Sequence, residues 1–144
     1  MLDFFQPPEA VTMENFNKRL RDIKASLPAQ NLKIATGSYV GTGTGGKSNP
    51  NTLSFNFAPD FLVIQSDDDV TIAELRINKD CTYAGSQESG VDSGQTWGRN
   101  NSVTFSNNGK TISWYCNDYS RESENSYGQL NANGMIYHYF AIGT

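Results

Sequence analysis

The stretch from Ile34 to Ser66, IATGSYVGTGTGGKSNPNTLSFNFAPDFLVIQS, limits the fold more than any other part of the chain. Leu53, Phe55 and Phe57 alternate with Ser54 and Asn56, the period of two that marks a half-buried strand. Pro59 ends that ladder because proline has no N–H to donate. Phe61, Leu62, Val63 and Ile64 then form an unbroken apolar run, as in a strand covered on both faces. Two packed sheets or the centre of a trimer would give a strand such surroundings.

Between the first strands lies Gly41-Thr-Gly-Thr-Gly-Gly46-Lys47-Ser48, which fits the phosphate-binding pattern G-x-x-x-x-G-K-[ST]. Phosphate binding there requires a helix that begins at the Lys-Ser, so that its first N–H groups meet the anion. Asn49-Pro50-Asn51 follows instead, and Pro50 turns Asn49 away from helical angles. The pattern is therefore read as the composition of a surface loop. A net charge of −4 also points away from nucleic acid, which needs clustered Lys and Arg.

The length, 144 residues, suits one domain with its own core. Many Gly, Asn, Ser and Thr with few charges suit a β-rich domain with numerous turns. Ahead of it, Thr12 is a good N-cap, Glu14 favours a first helical turn, and Pro28 stops the helix near Leu27. Phe16, Leu20, Ile23 and Leu27 follow a four-three-four spacing, the seam of a coiled coil. Either the helix lies on its own domain or it joins copies of itself in a short stalk. The expected division is residues 1–31 for attachment and 32–144 for the β domain.

Further along, Val70 to Ile77 is expected as a strand, and Asp80 to Gly94 as a long loop or a strand broken around Tyr83. Trp97 falls in the turn-rich GQTWGRNN. Ser102–Phe105 and Thr111–Cys116 flank Asn107-Asn108-Gly109-Lys110, a strong hairpin signal. Asn117 to Ser126 is expected as an irregular polar loop, and Met135 to Ile142 as the last strand. In that strand Ile136, His138, Phe140 and Ile142 share one face, while Met135, Tyr137, Tyr139 and Ala141 share the other. Seven or eight short strands of this kind read as an antiparallel sandwich.

Little in the sequence carries catalysis. His138 is the single histidine, and no G-x-S-x-G motif is present. Asp67-Asp68-Asp69 lacks the spacing of a calcium loop. Acids such as Asp60, Glu74, Glu88 and Asp92 fall where solvated side chains are expected. No C-x-x-C exists, and Cys81 and Cys116 are expected to be free rather than paired. The chain is thus read as a non-enzyme without cofactor or metal. Loops instead hold Trp97, Arg99, Tyr119, Arg121 and Tyr127 among Asn, Asp, Ser and Gly, the vocabulary of recognition surfaces and of sugar binding.

The opening FFQPPEAVTMENFNKRL resembles the start of many bacteriophage structural proteins. The remainder, with TISWYC and GQLNANGMIYHYFAIG, resembles C-terminal domains of phage and prophage tail-fibre proteins from Gram-positive gut bacteria. The F-x-F-x-P-x-(F/L)-V-I pair and the final aromatic strand also look like the H-type lectin sandwich. The resemblance implies a homotrimeric virion fibre or tail-tip protein, joined to other virion proteins by its N-terminal segment and binding a host-surface carbohydrate. It implies neither membrane insertion nor nucleic-acid binding, and it assigns no sugar-binding residue. MLDFFQPPE lacks the features of a signal peptide, which agrees with assembly in a host cytoplasm. A purely structural virion component is the alternative, and a small carbohydrate-active enzyme the third reading.

Overall fold

The structure is a computed structural model that describes residues 13–26, 31–68, 71–90 and 95–144. The chain divides into two compact units, Met1–Asn31 and Leu32–Thr144. Within the first, α1 spans Met13–Ser26, with Glu14 in its first turn. Phe16, Leu20 and Ile23 fall on one face, each about half exposed. The expected cap Thr12 and the fourth seam residue Leu27 lie outside the described residues.

The second unit is mostly β. Its strands are β1 (Lys33–Val40), β2 (Asn51–Ser54), β3 (Phe61–Ser66), β4 (Thr71–Asn78), β5 (Tyr83–Gly90), β6 (Thr96–Ser106), β7 (Thr111–Cys116) and β8 (Ile136–Gly143), with α2 (Glu122–Gly128) between the last two. They form one antiparallel sheet in the order β1-β8-β3-β4-β5-β6-β7-β2. The two-sheet sandwich expected from the sequence is therefore replaced by a single sheet rolled on itself. Its edges, β1 and β2, draw together where Asn51 Nδ2 lies 3.4 Å from the Tyr39 hydroxyl. Strand twist accumulates over a sheet of this width, so one sheet supplies the facing walls that a sandwich takes from two.

Alternation decides what fills the roll. Leu62 and Ile64 of β3, Leu75 and Ile77 of β4, Ile112 and Trp114 of β7, and Tyr137 and Ala141 of β8 are almost completely buried. Tyr137 and Tyr139 face inward, and Ile136, His138 and Phe140 outward, as the period of two requires. The Asn107-Asn108-Gly109 turn joins β6 to β7 with φ of 52°, 56° and 79°, the left-handed angles these residues tolerate best. Phe55 and Phe57 lie in the loop after β2 rather than in the strand, yet both pack on the core.

The glycine-rich loop is not followed by a helix. Its glycines serve close packing: a Cβ on Gly41 would strike the Ala132 carbonyl, and one on Gly45 would strike the Ser126 backbone. Asn131 holds the loop by accepting from the Thr42 N–H at 3.0 Å and donating to the Thr44 carbonyl at 2.8 Å. Beside it, Gln129 is wholly buried and uses its whole amide. Oε1 accepts from the Gly46 and Cys116 N–H groups at 2.9 and 3.3 Å, and Nε2 donates to the Asn49 carbonyl and to Asn51 Oδ1, both at 2.9 Å. Leu130 follows with φ 58°, a left-handed angle usually left to glycine. Bonds from Asn131 N to the Ser126 carbonyl and from Leu130 N to the Tyr127 carbonyl make this the end of a Schellman-capped helix.

Replacement of Gln129 by leucine removes four partners' bonds at once, and strands the buried N–H groups of Gly46 and Cys116. Gln129→Leu is expected to lower stability by roughly 3–5 kcal/mol, whereas the same change at exposed Gln87 stays within about 0.5 kcal/mol. Urea unfolding of the two variants checks the contrast.

Candidate functional site

The hairpin of β5 and β6 builds the site. β6 is longer than its neighbour β7, which pairs only with Asn101–Ser106. Thr96 to Asn100 therefore run past β7 and pair on one side with β5. On the other side the Asp118 carboxylate accepts the Asn100 N–H at 2.9 Å, in place of a ladder carbonyl. Within this overhang Glu88 stands directly opposite Trp97, and Ser86 opposite Arg99. All four side chains belong to the inward-facing set, because they share the parity of buried Ala84 and Asn101.

Beyond β7 the chain turns over this hairpin and forms α2. The Asn125 side chain accepts from the Tyr119 N–H at 3.0 Å and donates to its carbonyl at 2.8 Å, which fixes the turn that carries Tyr119. The other end of α2 is tied to the sheet, since Ser86 Oγ and Asn101 Nδ2 donate to the Gly128 carbonyl at 2.6 and 3.0 Å. Only glycine fits there: a Cβ on Gly128 would lie 2.7 Å from Cys116 Sγ and 3.1 Å from Arg99 Cγ. Arg99 thus runs its stem over Gly128 and lays its guanidinium on the Tyr119 ring, 4.6 Å from the centroid. Its Nε is buried without a hydrogen-bond partner among the described residues.

A cavity of about 370 Å³ opens between these parts, lined by Glu88, Trp97, Arg99, Tyr119, Glu124 and Tyr127. Trp97 and Tyr127 remain 38% and 51% exposed, so both offer ring surface to solvent. Burial pushes the Glu88 carboxyl above the usual carboxylate range, and the nearby Arg99 guanidinium offsets only part of that. Arg121 stands outside the lining, its Nη1 3.9 Å from Glu124 Oε1, in an exposed pair that contributes little to stability.

Trp97, Arg99, Tyr119 and Tyr127, which lie up to 30 positions apart in the chain, thus meet in one cavity, with Arg121 at its rim. Two expectations about their setting are corrected. Trp97 and Arg99 stand in a strand rather than in a turn, and Tyr127 in a short helix rather than after an irregular loop. The lining also holds Glu88, expected as a solvated acid, and Glu124, from the stretch expected as an irregular polar loop. The strand YAGSQESG carries almost no β-branched or aromatic residues, so nothing in its composition marks Glu88 as paired with Trp97.

Other candidates are placed elsewhere. His138 is exposed on the outer face, where its Nε2 lies 3.1 Å from Asp67 Oδ2. Cys81 and Cys116 are both free. A second cavity of about 370 Å³ lies between the edges β1 and β2 and is lined by uncharged residues, among them Tyr39, Asn51, Leu53, Trp114 and Asn131. No protein-family model matches the chain, and no curated protein or solved structure shows significant similarity to it.

The raised Glu88 carboxyl yields a signed expectation. An acid whose folded pKa exceeds its unfolded value of about 4.3 stabilises the fold only while protonated; that contribution is complete below the unfolded value and lost as pH rises through the folded one. Glu88→Gln cannot ionise, so it is expected to be more stable than the parent at neutral pH and to show no such advantage below about pH 4. Urea midpoints measured at the two pH values test this.

Proposed function

We propose that the chain is a carbohydrate-binding adhesin domain of a virion fibre or tail tip, with the Trp97–Tyr127 cavity as its sugar site. The observation that carries this reading is the meeting of exposed aromatic rings with Arg99 and Glu88 in one cavity. Sugars present an apolar C–H face and a rim of hydroxyls. The indole and phenol rings suit the face, and the guanidinium and carboxylate suit the rim. The virion setting rests on the sequence resemblance. The expected test is titration of the whole chain with mono- and disaccharides. Trp97→Ala and Tyr127→Ala should each weaken binding roughly tenfold, about the contribution of one aromatic contact. Equal binding by parent and variants removes the site.

Self-association into a trimer belongs to the same reading, because three weak sites on one tip gain avidity. Two apolar surfaces support it. One is the Phe16, Leu20 and Ile23 face of α1, on a helix too short to be stable alone in water. The other is the outer face of the sheet, where Ile34 and Phe61 flank Ile142, and Val63 adjoins Phe140. The chain is expected to show three times its 15.9 kDa in sedimentation, with Leu20→Asp shifting it to smaller species. A monomeric parent rules the trimer out.

A second reading, glycoside hydrolysis, is favoured by one observation: two carboxylates, Glu88 and Glu124, line the same cavity, and the buried one has a raised pKa. Turnover of a glycoside that Glu88→Gln abolishes would select hydrolysis. Binding without turnover selects the adhesin. A chain that binds no sugar but associates with another virion protein selects the structural component.

A further inference from the structure

Glu88 is partly buried at the cavity wall, and among the described residues no hydrogen bond reaches its carboxylate. A carboxylate drawn partly out of water without protein donors leaves its acceptor sites open to a ligand that supplies them. Its surroundings restrict that ligand. From β6 it faces Trp97 directly across the strand pair, and Arg99 diagonally. From α2 it meets a wall that holds Glu124 and Tyr127, and the Tyr137 phenol of β8 lies within electrostatic range. Among the described residues the lining bears two carboxylates and one guanidinium, and the rim guanidinium of Arg121 is already paired with Glu124 at 3.9 Å. Arg99 is moreover already spread over Tyr119, and its Nη1 donates to the Gly98 carbonyl at 3.3 Å.

We infer that the cavity selects an uncharged pyranose with adjacent equatorial hydroxyls and rejects sugars that carry a carboxylate. This inference rests on the carbohydrate reading of the site. A pyranose laid on the Trp97 indole directs its axial C–H bonds at the ring and its equatorial hydroxyls sideways. Glu88, the cross-strand neighbour of that indole, lies at the rim and accepts from two such hydroxyls, and the outer nitrogens of Arg99 donate to a hydroxyl or ring oxygen. A uronic acid of the same shape brings a third carboxylate beside Glu88 and Glu124, where both nearby guanidinia are engaged, Arg99 on Tyr119 and Arg121 with Glu124. Its exocyclic carboxylate would need a guanidinium of its own to pair with.

The test uses the whole chain and paired probes: methyl glycosides of glucose, galactose and mannose against those of the matching uronic acids, titrated at neutral pH. The expected result is binding of at least one neutral glycoside, at least tenfold tighter than its uronic partner. Glu88→Gln should weaken the neutral glycoside and narrow the gap, while its unfolding transition shows that the fold is intact. A uronic acid bound as tightly as its neutral partner overturns the selectivity and leaves the sugar site standing. Binding that Glu88→Gln does not change overturns the role of Glu88. If no glycoside of either kind binds, the carbohydrate reading itself fails, and the selectivity with it.

Discussion

The buried amide of Gln129 is the contact on which the rest of the domain depends. Four segments far apart in sequence meet at its two side-chain atoms: the end of the glycine-rich loop, the start of β2, the end of β7 and, through Gln129 itself, the exit from α2. Its backbone carbonyl also accepts from the Trp114 indole at 2.8 Å, so the largest core side chain is oriented from the same point. Low polarity around these bonds strengthens each of them and makes any gap expensive. A rolled sheet with two open edges has no ladder to hold those edges together. Here polar side chains beneath the edges, Tyr39, Asn51 and Gln129, take the place of a ladder.

The same point positions the aromatic cavity. Because the residue after Gln129 caps α2 in a left-handed turn, the helix ends where Gly128 settles on Cys116 and on the stem of Arg99. Arg99 is then confined between that helix end and the Tyr119 ring, which Asn125 holds through its backbone. The cavity walls are thus referenced to the core through a chain of short polar contacts rather than through loop packing alone. A guanidinium stacked in this way keeps one orientation, and less freedom remains to be lost when a ligand arrives.

Much of the sheet is legible in the sequence where side-chain type and period agree. The β8 alternation and the Asn-Asn-Gly turn are readable because burial and positive φ each demand particular residues. The apolar run of β3, expected to be covered on both faces, instead buries Leu62 and Ile64 and leaves Phe61 and Val63 only partly covered within one chain. Whether strands of this kind close as two sheets or roll as one depends on pairing partners far away in sequence, which no local pattern encodes. β5 escapes notice because Gly, Ser, Gln and Glu hold no strand preference; its pairing with β6 defines it. α2 escapes for a related reason. It is seven residues long and polar, and its stop sits at Leu130, where a glycine would have announced it. The aromatic and arginine residues of the cavity are visible by type alone, whereas the acid among them is visible only through register.

The overhang of β6 beyond β7 has a consequence for how such a domain diversifies. At Asn101 and Ser102 β6 is paired with β5 on one side and β7 on the other, and from there to Ser106 it stays in register with β7, where a slip would turn the core inside out. Before Asn101 the overhang from Thr96 to Asn100 is held by β5 and a single carboxylate clasp from Asp118. Exchanges within that overhang leave the buried frame in register while they reshape the surface beside Trp97. The cavity lining can therefore drift across generations at little cost to folding, because the residues that line it and the residues that hold the shape occupy different stretches of the same strand.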